Sequence, residues 1–186
     1  MRIIGGYLKG KKILQPSDKK TRPLRDLVKE SVFNLIEHSN KIKINIQSSN
    51  VLDLFSGCGS FGLECISRGA RHVNFVENYA AVFKILQKNI SLINAEKKTK
   101  VNNLDCFDYF NNEKNLSEKY EIIFLDPPFN EKRANNLIEI IKTKKILKRN
   151  GIIIIHRHKK DSIDINENLK ILDIRKYGIS KIIIGN

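Results

Sequence analysis

The chain has 186 residues, 41% of them hydrophobic, which is enough for one compact domain with a true core and a small appendage. Its 34 Lys and Arg against 20 Asp and Glu leave a net charge of +14, and such an excess points to a polyanionic partner. Cys58, Cys65 and Cys106 make neither a disulfide framework nor a paired CxxC site, the N-terminus lacks the apolar run of a signal peptide, and no segment approaches the roughly 20 apolar residues of a membrane span; a cytoplasmic setting without membrane contact is expected.

In chain order, RIIGGYLKGKKI reads as two short strands around Tyr7–Gly10, a hairpin, followed by a loop over Pro16–Lys20. A helix follows Thr21 and Pro23, with Leu24, Leu27, Val28, Ser31, Val32 and Leu35 as its apolar face and Lys29 and Phe33 on another side. Residues 41–50 read as a polar linker in which Ile42, Ile44 and Ile46 could form a short strand. From Asn50 strands and helices alternate: VLDLF, a helix over Phe61–Ser67, HVNFVE, a helix over 78–92, the polar strand TKVNNLD, then YEIIFLD, a helix over 132–147 and GIIIIH. That alternation argues a parallel sheet with helices on both faces. The tail, LKILDIRKYG and ISKIIIG, must be antiparallel because almost nothing separates its two strands. The expected division is a small N-terminal extension over 1–48 and a Rossmann-like α/β domain over 49–186.

Gly57, Gly59 and Gly62 follow the first strand in a GxGxxG spacing, and Glu77 ends the next strand twenty residues after Gly57. Gly57 permits a tight turn, Gly59 a close backbone approach to a ligand, and Gly62 tight helix–strand packing, while Glu77 can accept from a ribose diol. The pattern alone does not separate a nicotinamide dinucleotide from S-adenosylmethionine. Asp53 favours the second, since a carboxylate inside the first strand's apolar run would repel a pyrophosphate but suits an amino group, a ribose hydroxyl or water near a cationic sulfonium. Phe55 belongs to the same turn, and Asp105, with Cys106 beside it, can accept from an adenine amine or simply cap a helix.

The stretch YEIIFLDPPF delivers Asp126 to the carboxyl edge of the sheet, where α/β ligands sit. Pro127 and Pro128 lack N–H donors and have fixed φ, so their carbonyls are free and rigid. A carboxylate beside a carbonyl suits an NH₂ group with two hydrogens, and Phe129 supplies a flat face for stacking a base. Two fixed acceptors can turn a delocalised exocyclic nitrogen toward tetrahedral geometry and aim its lone pair at a sulfonium methyl. No metal is needed, and with His156 and His158 lacking a third ligand none is expected.

VLDLFSGCGSFGLECISRGA, VNFVE and FLDPPF together resemble an amine-methylating class I S-adenosylmethionine-dependent methyltransferase, and RIIGGYLKGKKI with TRPLRDLVKESVFN resembles more narrowly the RsmD family, which methylates the N2 amine of one guanine in bacterial 16S rRNA. The resemblance runs nearly the whole length, through the late RKYG. It implies a seven-stranded sheet with a reversed last strand, cofactor contacts from Asp53, Phe55, Gly57, Gly59, Glu77, Asp105 and Cys106, and a target-base pocket at Asp126, Pro127, Pro128 and Phe129. Arg22, Pro23, Arg25 and Lys29 match an element that faces RNA in that family, whose substrate is a partly assembled 30S subunit; a monomer is expected. Two departures stand out. Leu24 replaces a usual threonine, and His156-Arg157-His158-Lys159 follows the GIIII strand where the family carries an acidic residue, so this edge either gains phosphate contacts or has lost a family interaction.

The N-terminal positive cluster also fits RNA on its own terms, with Arg2, Lys9, Lys11, Lys12, Lys19, Lys20, Arg22 and Arg25 in the first 25 residues. Three rivals remain: the same chemistry on adenine N6 of DNA or another RNA, a nicotinamide-dependent oxidoreductase that leaves DPPF unexplained, and a non-catalytic assembly factor that keeps the fold only to bind RNA.

Overall fold

The computed structural model describes residues 1–17, 24–129, 131, 133–161 and 169–186. A seven-stranded sheet runs β3-β2-β1-β4-β5-β7-β6. Its strands are β1 (Asn50–Leu54), β2 (His72–Val76), β3 (Thr99–Asn102), β4 (Tyr120–Leu125), β5 (Leu147–His158), β6 (Ile171–Tyr177) and β7 (Ser180–Gly185). The first five are mutually parallel, and β7 lies antiparallel to both β5 and β6, so it alone runs against the others. The reversed last strand is therefore present.

Side chains on successive strand positions point to opposite faces. Val51, Ile122, Phe124, Ile152 and Ile154 enter one hydrophobic cluster, and Leu52, Leu54, Ile123, Leu125, Ile153 and Ile155 the other. Helices α1 (Asp26–His38), α2 (Ser60–Ser67) and α3 (Ala80–Leu92) cover the first face. The short helices α4 (Cys106–Asn111) and α5 (Glu113–Leu116) follow β3, and α4 covers the second face together with α6 (Ala134–Thr143). Both faces being covered explains why the central strands read as unbroken apolar runs.

Several local expectations change. The hairpin around Tyr7–Gly10 reduces to one antiparallel bridge, Arg2 with Lys12, flanked by Ile3 N–H to Lys11 O and Gly10 N–H to Ile3 O, both 2.9 Å. Residues 42–46 form no strand; Ile42 and Ile46 instead bury their side chains in the first cluster. α6 stops at Thr143, and Lys145 takes a positive φ of 51° before β5 begins at Leu147. Between β3 and β4 lie two helices, each capped by its preceding side chain: Asp105 accepts from Phe107 N–H and Asn112 from Lys114 N–H.

The N-terminal segment docks on α2 and α3 through buried polar groups. Glu64 Oε2 accepts from Ile4 N–H (2.8 Å), and the Ser67 hydroxyl donates to Gly5 O (2.6 Å) while accepting from Leu8 N–H (3.0 Å). Asn89 pairs with residue 14 as a second backbone would, accepting from Leu14 N–H (2.7 Å) and donating to Leu14 O (3.0 Å). The same amide donates to Cys58 O (2.9 Å), which ties the segment to the glycine loop.

Candidate active site

The chain leaves β1 toward β2 on one side, and β4 returns to the other side of β1. This topological switch opens a crevice at the strand carboxyl ends. Leu54 pairs with Leu125, so the residues that follow, Phe55 and Asp126, emerge together. One cleft is lined by Asp53, Phe55, Gly57, Ser60, Phe124 and Asp126.

Phe55 turns the chain out of β1 with φ +56°, a left-handed conformation that costs a non-glycine residue about 1–3 kcal/mol and tends to occur at functional sites. Gly57 makes the expected turn with φ +56°, and Gly62 the expected close packing, since a Cβ there would lie 2.3 Å from the Phe75 ring. A Cβ at Gly59 would lie 2.5 Å from Leu86 Cδ1, so its bareness serves packing against α3. A Cβ at Gly57 would meet nothing within 4 Å, and this glycine presents its open side where a ligand can lie.

Glu77 is buried and closes the loop: Oε2 accepts from Gly57 N–H and Oε1 from Tyr79 N–H, both at 2.8 Å. Burial raises its carboxyl above the ordinary range against the pull of these amides. Each oxygen keeps lone-pair capacity for a ribose hydroxyl. Asp53 is 1% exposed, and its Oδ2 accepts from Gly62 N–H at 2.9 Å. Its Oδ1 is buried with no partner among the described residues, and the same holds for the Ser60 hydroxyl, which lines the same cleft. A buried carboxylate oxygen without a donor is costly. A ligand carrying a protonated amine and hydroxyl donors fits this pair of orphaned atoms, and a pyrophosphate does not.

Asp105 caps α4 (Oδ1 to Phe107 N–H, 2.9 Å), and its Oδ2 accepts from Asn78 Nδ2 at 3.2 Å, one residue after Glu77. The Cys106 side chain, next to Asp105, is buried in the second hydrophobic cluster, and burial pushes its thiol pKa up, so the side chain packs as an apolar group.

At the DPPF corner, Asp126 is 19% exposed and its Oδ1 lies 2.8 Å from His156 Nδ1. The free-carbonyl expectation needs correction at Pro128. Its oxygen accepts from Glu131 N–H (2.9 Å) and Arg157 Nη1 (3.2 Å), whereas among the described residues no donor reaches the Pro127 carbonyl. Arg157 also donates to Phe129 O (3.4 Å) and Glu131 O (3.2 Å), and its Nε to Asp161 Oδ2 at 2.7 Å. Phe129 is 36% exposed, with its ring 5.1 Å edge-on from that of His158. His156 and Arg157 are each 2% exposed, so these two residues of the basic edge are unavailable for phosphate contacts and hold the corner. Sequence reasoning missed that role; the signal would have been the parallel register of β4 and β5.

Of the residues assigned to RNA, Arg2, Lys9, Lys11, Lys12 and Arg25 are exposed, and Arg22 lies outside the described residues. Lys29 is removed from that set. It is fully buried, its Nζ donates to Arg2 O (2.7 Å) and sits 3.6 Å from Glu64 Oε2, and no phosphate can reach it.

The family model described as Conserved hypothetical protein 95 matches residues 1–186. A ribosomal RNA small subunit methyltransferase D of Haemophilus influenzae is 31% identical over 96% of this chain and 90% of its own length. A putative methylase of Haemophilus influenzae superposes with a TM-score of 0.76 at 29% identity, over 99% of this chain and 96% of that one. A putative methyltransferase solved with S-adenosylhomocysteine superposes with a TM-score of 0.67 at 19% identity, over 84% of this chain and 48% of that one. A whole-length family match, a relative of this identity and coverage, and a sheet that keeps its reversed last strand lead to one conclusion: the chain belongs to the RsmD-type family of class I S-adenosylmethionine-dependent rRNA methyltransferases.

Proposed function

We propose that the protein methylates the exocyclic N2 amine of a guanine in 16S rRNA, within a partly assembled 30S subunit, acting as a cytoplasmic monomer. The carrying observation is the adjacency of Asp126 to the glycine loop and Asp53, which sets an amine acceptor beside a pocket suited to a cationic cofactor. S-adenosylmethionine, when bound, supplies an electrophilic methyl group on a sulfonium. Asp53 and the Ser60 hydroxyl would hold its polar end, and Glu77 its ribose hydroxyls.

The chain's own contribution is orientation and charge. Asp126 and the Pro127 carbonyl accept the two hydrogens of the target amine, which draws the nitrogen lone pair out of conjugation. The carboxylate stabilises the positive charge that develops on that nitrogen. Arg157 holds the carbonyls of Pro128, Phe129 and Glu131, which helps the two acceptors just before them keep their spacing. The Phe129 ring, partly exposed, offers a face against which an extruded base stacks.

The test offers labelled S-adenosylmethionine with naked 16S rRNA, undermethylated 30S subunits and duplex DNA, and maps the modified base by mass spectrometry. Label on guanine N2 in the subunit, reduced at least about 100-fold in Asp126→Ala, is expected. Label on an adenine amine would move the substrate and keep the mechanism. No label on any substrate would overturn the proposal.

A further inference from the structure

The register that places Leu125 opposite Ile155 brings the next residues of β4 and β5, Asp126 and His156, side by side. The imidazole is enclosed, with Nδ1 2.8 Å from Asp126 Oδ1 and Nε2 2.9 Å from Ser180 Oγ. Ser180 is itself buried and pairs with His158 across the β5–β7 ladder. His158 is two residues from His156 and so shares its face of the sheet, which sets the serine hydroxyl in diagonal reach of the ring.

An ionised carboxylate only accepts, so Nδ1 carries the hydrogen that faces Asp126. The Ser180 hydroxyl can donate to a bare Nε2 or accept from a protonated one, so it holds the ring plane in either state. Both ring nitrogens of a nearly inaccessible histidine are spent on aiming one carboxylate oxygen.

We propose that His156, held by Ser180, is a positioning residue for Asp126. It occupies Oδ1 and sets the carboxylate plane, so that Oδ2 is the oxygen offered to the target amine. This rests on the reading of Asp126 as an amine acceptor. Without the imidazole, Asp126 samples other side-chain settings, and the acceptor pair with Pro127 loses its spacing. A histidine that merely fills the core would matter for stability alone, and a leucine would replace it without a specific loss of rate.

The experiment compares the unmodified protein with His156→Leu, His156→Asn, Ser180→Ala and Asp126→Ala, on undermethylated 30S subunits. His156→Leu is expected to lower kcat about 10–100-fold, with KM for the subunit and Kd for S-adenosylhomocysteine within about twofold of the unmodified protein. His156→Asn, whose side-chain amide can present a donor at the Nδ1 position, recovers most of that loss. A second readout needs no turnover. In protein with ¹⁵N-labelled histidine, the resonance assigned to His156 by its absence from His156→Asn shows the Nδ1–H tautomer. That signature shifts in Asp126→Ala and persists in Ser180→Ala, where Asp126 still accepts from Nδ1–H.

Unchanged kcat in His156→Leu, equal impairment of the leucine and asparagine variants, or an Nε2–H tautomer indifferent to Asp126 would each overturn the proposal. Should His156→Leu not fold, His156→Asn, Ser180→Ala and the tautomer decide. Inactivity of the unmodified protein on every substrate would remove the reading beneath the inference, whereas activity indifferent to His156 would remove the inference alone.

Discussion

Asp53 carries the sharpest conflict between stability and ligand binding. Burial holds its carboxyl well above the ordinary range, the neighbouring Asp126 and Glu77 charges push the same way, and only the Gly62 amide opposes them. A carboxyl whose pKa is raised by folding binds more protons in the folded state. Its stabilising contribution is therefore full below its ordinary value of 3.8, where both states are protonated, and is lost as pH rises through the raised value. Glu77 has the same sign, starting from 4.5. Asp53→Asn keeps an acceptor for the Gly62 amide and removes the ionisation. The ligand-free variant is expected to melt no lower than the unmodified protein at neutral pH, and its melting temperature should depend less on pH. Its Kd for S-adenosylhomocysteine should rise at least about tenfold, the scale of one charge-assisted hydrogen bond. A variant that melts lower and binds as before would show that Asp53 serves the turn rather than the ligand. This residue was legible in the sequence because an acid inside the apolar run VLDLF must be paired, by its own turn or by a ligand. Its unpartnered oxygen was not, since that depends on which donors the glycine loop has left over.

Among the elements, α1 shows how a pattern can be read correctly as a helix and only partly as a face. Of the expected stripe, Leu24, Val28 and Val32 are buried and Leu35 packs against the first cluster, but Leu27 is 66% exposed and the buried side extends to Lys29, Phe33 and Ile36. Phe33 draws the helix round by stacking on Phe61 at 5.2 Å, which in turn stacks on Phe124 of β4 at 4.0 Å. Lys29 follows Phe33 inward because Glu64 waits there. Glu64 is fully buried, and its Oε1 also receives Arg68 Nε at 3.0 Å. Periodicity could not show this, because the acid that makes a buried lysine tolerable lies on another helix. Glu64→Ala leaves Lys29 enclosed with only the Arg2 carbonyl and Asp26 4.0 Å away, and breaking a buried pair this way costs about 3–5 kcal/mol. Lys29→Met should cost less, since Glu64 keeps Arg68. Urea unfolding measures both, and hydrogen exchange should quicken first at the Ile4 and Leu8 amides. Equal costs for the two variants would mean that the three charges do not act as a unit. The β4–β5 pairing teaches the same lesson. Both strands were evident in the sequence, but only their register joins Asp126 to His156 across thirty residues.

For the whole molecule, the charge of +14 has to be divided between cations that hold the fold and cations that meet a polyanion. Lys29, Arg68 and Arg157 belong to the first group, tied to Glu64, Glu37 and Asp161. Arg2, Lys9, Lys11 and Lys12 are exposed and are the ones proposed for the second, and they ride on a segment that Asn89 fastens to the glycine loop through Leu14 and Cys58. The exposed cations of this segment and the cleft are therefore linked through Asn89, and on the proposed function a phosphate held by the segment would position the base relative to the cleft. Each phosphate contact releases condensed counterions, so the logarithm of affinity falls linearly with the logarithm of salt, with a slope of about 0.7–0.9 per contact. Replacing Lys9, Lys11 and Lys12 together by alanine should reduce that slope for 16S rRNA by about 2 to 3, while the Kd for S-adenosylhomocysteine stays unchanged. Lys29→Met, which removes the same formal charge per residue, should leave the slope as it was, because its ammonium never meets solvent. A triple variant with an unaltered slope would place the RNA on another surface of the protein. An altered slope in Lys29→Met would mean that α1 shifts on binding and releases its buried ion pair.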